Sequence, residues 1–126
     1  MILKGRSIVY GDVEGYAVKC EHPVVILGDI NEREGTACGK PIYGKIFVFP
    51  RGAGSTVGSY TLYGLRFYGK APLALILEEA ETIVAAGAII SKIPTVDKID
   101  ISKIREGDYI RIRGDAVEII SEHPHS

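Results

Sequence analysis

The chain has few cysteines and histidines, and those present are badly spaced for holding metal. Its two cysteines, Cys20 and Cys38, show no CxxC spacing, and its three histidines, His22, His123 and His125, complete no zinc pattern. This excludes a zinc ribbon or an iron–sulfur cluster held by this chain alone, and the cysteines read as two buried thiols. There is no basic stretch. The formal net charge is −1, with lysines and arginines interspersed among acids, so nothing matches a run of nucleic-acid phosphates. No apolar run approaches the ~18 residues of a membrane span. Residues 1–11 hold too short an apolar stretch for a signal peptide, and the expectation is a cytoplasmic protein without a membrane partner. A second domain has no room in 126 residues, and no internal repeat is present.

What is there suits one soluble α/β domain over residues 1–126, with an ordered core at about 4–120: 46% of residues are hydrophobic and 25% charged. Residues 6–10 and 15–20 are rich in β-branched and aromatic types and read as a pair of strands. The apolar run 23–28 leads into a polar, turn-rich stretch, 29–36, which reads as a surface loop. Residues 45–49 form a compact strand closed by Pro50. From Tyr60 the spacing of Leu62, Leu65 and Tyr68 predicts a helix ending near Gly69. Residues 73–77 read as a buried strand, 78–86 as a helix stopped by Gly87, and 88–90 and 95–96 as short strands flanking Pro94. The stretch 45–96 is thus β-loop-α-β-α-β, the pattern of parallel strands covered by helices. Residues 109–113 and 116–120 alternate around Gly114-Asp115 as a hairpin. The expected fold is a compact layered β/β/α domain whose terminal strands complete a barrel-like sheet. Residues 122–126 read as a frayed tail.

Packing does not account for the composition of residues 50–60. Gly52, Gly54 and Gly58 allow tight turns and close approach to a ligand, and the helix that follows offers unpaired N–H groups and the positive end of its dipole to an anion. Ser55, Thr56 and Ser59 add hydroxyls there, and Arg51 adds a cation. A plain helix N-cap at Ser55 or Thr56 accounts for the same residues, and the two roles are compatible. The stretch is neither a GxxxxGKS/T loop nor a GxGxxG turn. It also lacks the histidine that phosphohistidine domains place in a similar turn.

The runs Gly5-Arg6-Ser7-Ile8-Val9, Glu14-Gly15-Tyr16-Ala17-Val18, Gly44-Lys45-Ile46-Phe47-Val48-Phe49-Pro50, Gly54-Ser55-Thr56-Val57-Gly58-Ser59-Tyr60, Ala71-Pro72-Leu73-Ala74-Leu75-Ile76-Leu77 and Ala86-Gly87-Ala88-Ile89-Ile90 occur in an order that resembles the small subunit of aconitase X, from about residue 4 to about 114. The resemblance implies a swivelling domain that works as a heterodimer. The large subunit holds an iron–sulfur cluster, and the small one swings a catalytic loop over the site. It assigns the proton acceptor to Ser55 and the cluster to the partner, with no metal ligand and no cofactor in this chain, while the loop's own composition nominates Arg51, Gly54, Thr56, Gly58 and Ser59 as substrate-binding residues. Ala53 stands where some relatives have the loop arginine, and Arg51 lies two residues earlier. The Gly-Ser-Thr-Val-Gly-Ser-Tyr form resembles the archaeal branch that dehydrates (R)-5-phosphomevalonate to trans-anhydromevalonate 5-phosphate in isoprenoid biosynthesis. Another branch acts on a hydroxyproline derivative, and a non-enzymatic anion-binding module is the reading from a different class.

Overall fold

The computed structural model describes residues 1–54 and 58–121; the tail expected at 122–126 lies outside the described residues. In chain order the elements are β1 (Ile2–Lys4), β2 (Arg6–Val9), β3 (Asp12–Lys19), β4 (Val24–Val25), the single turn α1 (Ile26–Asp29), β5 (Ile30–Asn31), β6 (Thr36–Ala37), β7 (Lys40–Pro41), β8 (Ile46–Phe49), β9 (Gly52–Ala53), α2 (Gly58–Phe67), β10 (Ala74–Leu77), α3 (Thr82–Ser91), β11 (Thr95–Asp97), a 3-10 turn (Ile101–Lys103), β12 (Tyr109–Arg113) and β13 (Ala116–Ser121).

Every residue of β8 and β10 is buried, and alternate side chains enter different cores. Phe47, Phe49, Leu75 and Leu77 pack under Leu62 and Leu65 of α2 and Val84 and Ala88 of α3. Ile46, Val48, Ala74 and Ile76 point the other way, against Ile110, Ile112 and Val117 of the C-terminal hairpin. Burial on both faces is why these strands are continuous apolar runs, whereas β12, buried on one face, alternates. β10 lies parallel to both β8 and β11, as the β-loop-α-β-α-β pattern requires.

The main sheet has the order β1-β13-β12-β3-β8-β10-β11-β2. Its two end strands, β1 and β2, are consecutive in the chain and separated only by Gly5, whose N–H donates to the Asp115 carbonyl at 2.9 Å. One N-terminal strand therefore borders both ends of the sheet and closes it into the expected barrel. Among the described residues no helix is long and apolar enough to cross a membrane.

Four local expectations need correction. The strands at 6–10 and 15–20 exist but do not pair with each other: β2 adds to β11, and β3 lies between β12 and β8. The surface loop expected at 29–36 carries β5 and the start of β6, which with β7 form a small separate sheet. Its turn is set by Asn31 Oδ1, which accepts from the N–H groups of Arg33 and Glu34 at 3.1 Å each. The helix expected to start at Glu78 begins instead at Thr82. Glu81 caps it by accepting from the N–H groups of Ile83 at 3.1 Å and Val84 at 3.2 Å. Finally, residues 88–90 are the last turn of α3, not a strand, and Gly87 does not stop the helix. Gly87 faces α2, where a Cβ would stand 2.6 Å from Leu62 Cδ1 and 3.1 Å from the Ser59 carbonyl. It is glycine because the two helices pack closely there. The helix stops at Lys92, which adopts a left-handed conformation (φ 56°).

One buried carboxylate joins three segments below the helices. Asp97 accepts from Arg6 Nε at 2.9 Å, Arg6 Nη2 at 2.7 Å and the Ala80 N–H at 2.9 Å. Burial pushes this carboxyl up. The Arg6 and Ala80 hydrogen bonds and the charges of Arg6 and Lys98 outweigh it, holding the group below the usual carboxylate range. Its contribution to stability is therefore present above the unfolded value of ~3.9 and lost as pH falls through the lower folded value. Asp97→Asn should cost about 2 kcal/mol at neutral pH, and the gap to the parent protein should close under acid conditions. Urea midpoints measured at both extremes check this; a pH-independent gap would contradict it.

Candidate active site

β8 leads from the centre of the sheet to Pro50, whose carbonyl accepts from the N–H groups of Glu78 at 3.0 Å and Glu79 at 3.1 Å. The chain thus emerges beside the carboxyl end of β10. Arg51 accepts from the Val24 N–H at 2.9 Å, and β9 runs parallel to β4. Gly54 turns with φ +106°, a conformation that L side chains rarely adopt. α2 then begins at Gly58.

Ser55, Thr56 and Val57 lie outside the described residues. Arg51 and Gly54 precede them in the chain, and Gly58 and Ser59 follow. Arg51 is exposed, and its guanidinium has no hydrogen-bond or ion-pair partner among the described residues. Gly58 and Ser59 form the first turn of α2, which contains no acidic residue, so nothing in that turn offsets its positive end. The first-turn donors of α3 are treated differently: Glu81 takes them, which also occupies the carboxylate nearest β9. Gly58 has a packing role besides. It is buried, and a Cβ there would come within 3.1 Å of Ile26 Cβ and 3.5 Å of Ile83 Cγ2.

The cysteines differ from expectation. Cys20 and Cys38 are joined in a disulfide, with a Cα–Cα distance of 6.4 Å, instead of remaining thiols. Their spacing in the sequence carries no sign of this, because the small sheet β5–β7 brings Cys38 back beside the end of β3. His22 lies against the pair, its Nε2 3.4 Å from Cys20 Sγ. The ligand atoms of the three residues lie within 4.8 Å of one another. A disulfide offers no thiolates, so this donor set does not fit an iron–sulfur cluster.

The barrel closed by its N-terminal strand, the parallel unit beside it and the glycine loop at the carboxyl end of β8 define a class. The chain belongs to the aconitase X swivel domain family, whose model matches residues 2–120. Among its relatives, the phosphomevalonate dehydratase small subunit of Thermococcus onnurineus is 48% identical over 122 residues, covering 91% of this chain and 94% of that one. The protein of the same name from Methanocaldococcus jannaschii is 47% identical over 120 residues, covering 90% and 92%. In structure the chain is similar to Thermococcus kodakaraensis aconitase X in its holo-form, with a TM-score of 0.93 and 47% identity over 96% of this chain and 99% of that one.

Proposed function

We propose that this chain is the small subunit of a two-subunit hydro-lyase that dehydrates (R)-5-phosphomevalonate to trans-anhydromevalonate 5-phosphate in the cytoplasm. The observation that carries the reading is near-50% identity, over nine-tenths or more of both chains, to proteins named as phosphomevalonate dehydratase small subunits. The loop supports it chemically. Dehydration of a β-hydroxy acid needs a base for the proton next to the carboxylate, while the β-hydroxyl leaves as water. Ser55 is assigned that base. A serine hydroxyl is a weak base in water, so its alkoxide needs stabilisation, for which the start of α2 and the Arg51 cation are available. The large subunit is assigned the iron–sulfur cluster, since Cys20 and Cys38 are committed to each other. Co-expression of the two subunits and assay with phosphomevalonate tests the reading; a complex that leaves this substrate unchanged while dehydrating a hydroxyproline derivative refutes it.

Substrate phosphate or carboxylate is assigned to N–H groups of residues 54–58, with Thr56 and Ser59 hydroxyls beside them. Gly54 is the cleaner position for a test, because a side chain at Gly58 would also press on Ile26 and damage packing. Gly54→Val should raise KM about tenfold in the assembled enzyme, while the backbone strain at φ +106° costs the chain about 1–2 kcal/mol of stability and leaves it folded. An unchanged KM in a folded Gly54→Val enzyme removes the loop from anion binding.

A further inference from the structure

The outer face of α2 is unusually aromatic. Tyr60, Tyr63 and Phe67 follow one another at helical spacing, and Tyr68 and Leu27 flank them along one groove. The four rings are 69%, 46%, 72% and 40% exposed. Together they present on the order of 500 Å² of mostly apolar surface, more than half of what one partner contributes to a standard interface of ~800 Å² per side. The opposite face of the same helix is satisfied by the core through Leu62 and Leu65; on the outer face Phe67 meets Tyr68 edge-on, with ring centroids 5.2 Å apart, and all four rings stay largely open to solvent.

The groove also holds a negative charge. Glu32, from the turn after β5, reaches over α2 so that its carboxylate lies against Gly64, where a Cβ would collide with it. No hydrogen bond or ion pair reaches that carboxylate from any described residue. At the groove edge Arg33 stands over the Tyr68 ring, 5.6 Å from its centroid, so one ring already supports a guanidinium. Aromatic walls around an unpaired carboxylate are complementary to an arginine, whose flat cation stacks on rings while its N–H groups pair with the acid.

We infer that this groove is where the large subunit docks, inserting an arginine side chain onto Glu32 between the rings of α2. The inference rests on the two-subunit reading. The groove runs along the same helix that follows the loop, so docking here would fix the start of α2 relative to the partner.

The test measures the affinity of the purified large subunit for the parent chain and for three variants. Phe67→Ala should weaken the complex at least about thirtyfold and Glu32→Gln about tenfold, the scale of central interface residues. Tyr10→Ala removes an equally exposed tyrosine that packs on Gly114 and should bind as the parent does. Melting temperatures of the isolated variants should match the parent, because Phe67 and Glu32 support no core. Parent-like affinity in both groove variants overturns the docking assignment and leaves the two-subunit reading standing. If the parent chain itself forms no complex at micromolar concentration, the two-subunit reading fails and the docking assignment with it. Loss of self-association in Phe67→Ala, with large-subunit affinity intact, gives the groove to a second copy of this chain and also overturns the assignment.

Discussion

Ser55→Ala should lower turnover of the assembled enzyme by roughly 10² to 10⁴-fold, the usual scale for removing a general base. Assembly with the large subunit should survive, since the change deletes one hydroxyl. A serine that only caps α2 would behave differently: the variant would lose about 1 kcal/mol of stability and keep its turnover, because a lost cap acts on folding and not on the barrier. Thr56→Ala and Ser59→Ala are the controls. Each removes a neighbouring hydroxyl and leaves the proposed base, so each should affect KM more than turnover. Turnover and melting temperature for the three variants, measured in the complex, decide between base and cap. A fully active Ser55→Ala enzyme ends the assignment of Ser55 as the proton acceptor.

The parts of the fold that could be read from sequence are those where one local rule dominates. β8 and β10 are short apolar runs because both faces are covered, and the β12–β13 hairpin alternates around Gly114-Asp115 because one face is solvated. Where two rules compete, sequence reasoning chose the wrong one. Residues 88–90 carry β-branched isoleucines, and Gly87 resembles a helix stop. Yet the glycine is there for the approach of α2, and the helix continues through the isoleucines to Lys92. Glu81 is recognisable as a cap only when the helix start is placed four residues later, at Thr82. Pairing of β2 with β11, and of β1 with β13, joins segments almost a chain length apart, and no local pattern specifies it.

The candidate site stands out in the sequence for a related reason. Its glycines and hydroxyls have no packing rationale at the sequence level, and in the structure Arg51 directly precedes β9, Gly54 directly follows it, and Gly58 and Ser59 open α2. What sequence could not supply is the double duty of Gly58, which depends on Ile26 arriving from a turn more than thirty residues earlier. In the sequence, Glu32 is likewise one polar residue in a turn-rich stretch. Only the fold lays it across Gly64 on the aromatic face of α2.

The disulfide gives the largest expected change in stability. Cys20 directly follows β3 and is anchored by its N–H, which donates to the Val48 carbonyl at 2.8 Å, whereas Cys38 belongs to the small sheet. The cross-link closes a segment with a sequence separation of 18, and restricting an unfolded loop of that size is worth about 3 kcal/mol. Replacing both cysteines by serine should therefore lower the unfolding free energy by about 3 kcal/mol and the melting temperature by roughly 10 °C. Dithiothreitol should reproduce the shift in the parent chain and leave the double variant unchanged. The closed segment includes Val24 and Val25, which pair with β9, and Ile26, which packs on Gly58. Loosening it should raise KM in the assembled enzyme more than it lowers turnover, since the support of the proposed anion-binding loop is affected and Ser55 itself is retained. Thiol titration of the denatured parent chain without reductant should give no free thiol. Two free thiols there, together with a double variant as stable as the parent, would show that the cysteines are not linked in solution and that the small sheet holds its place by packing alone.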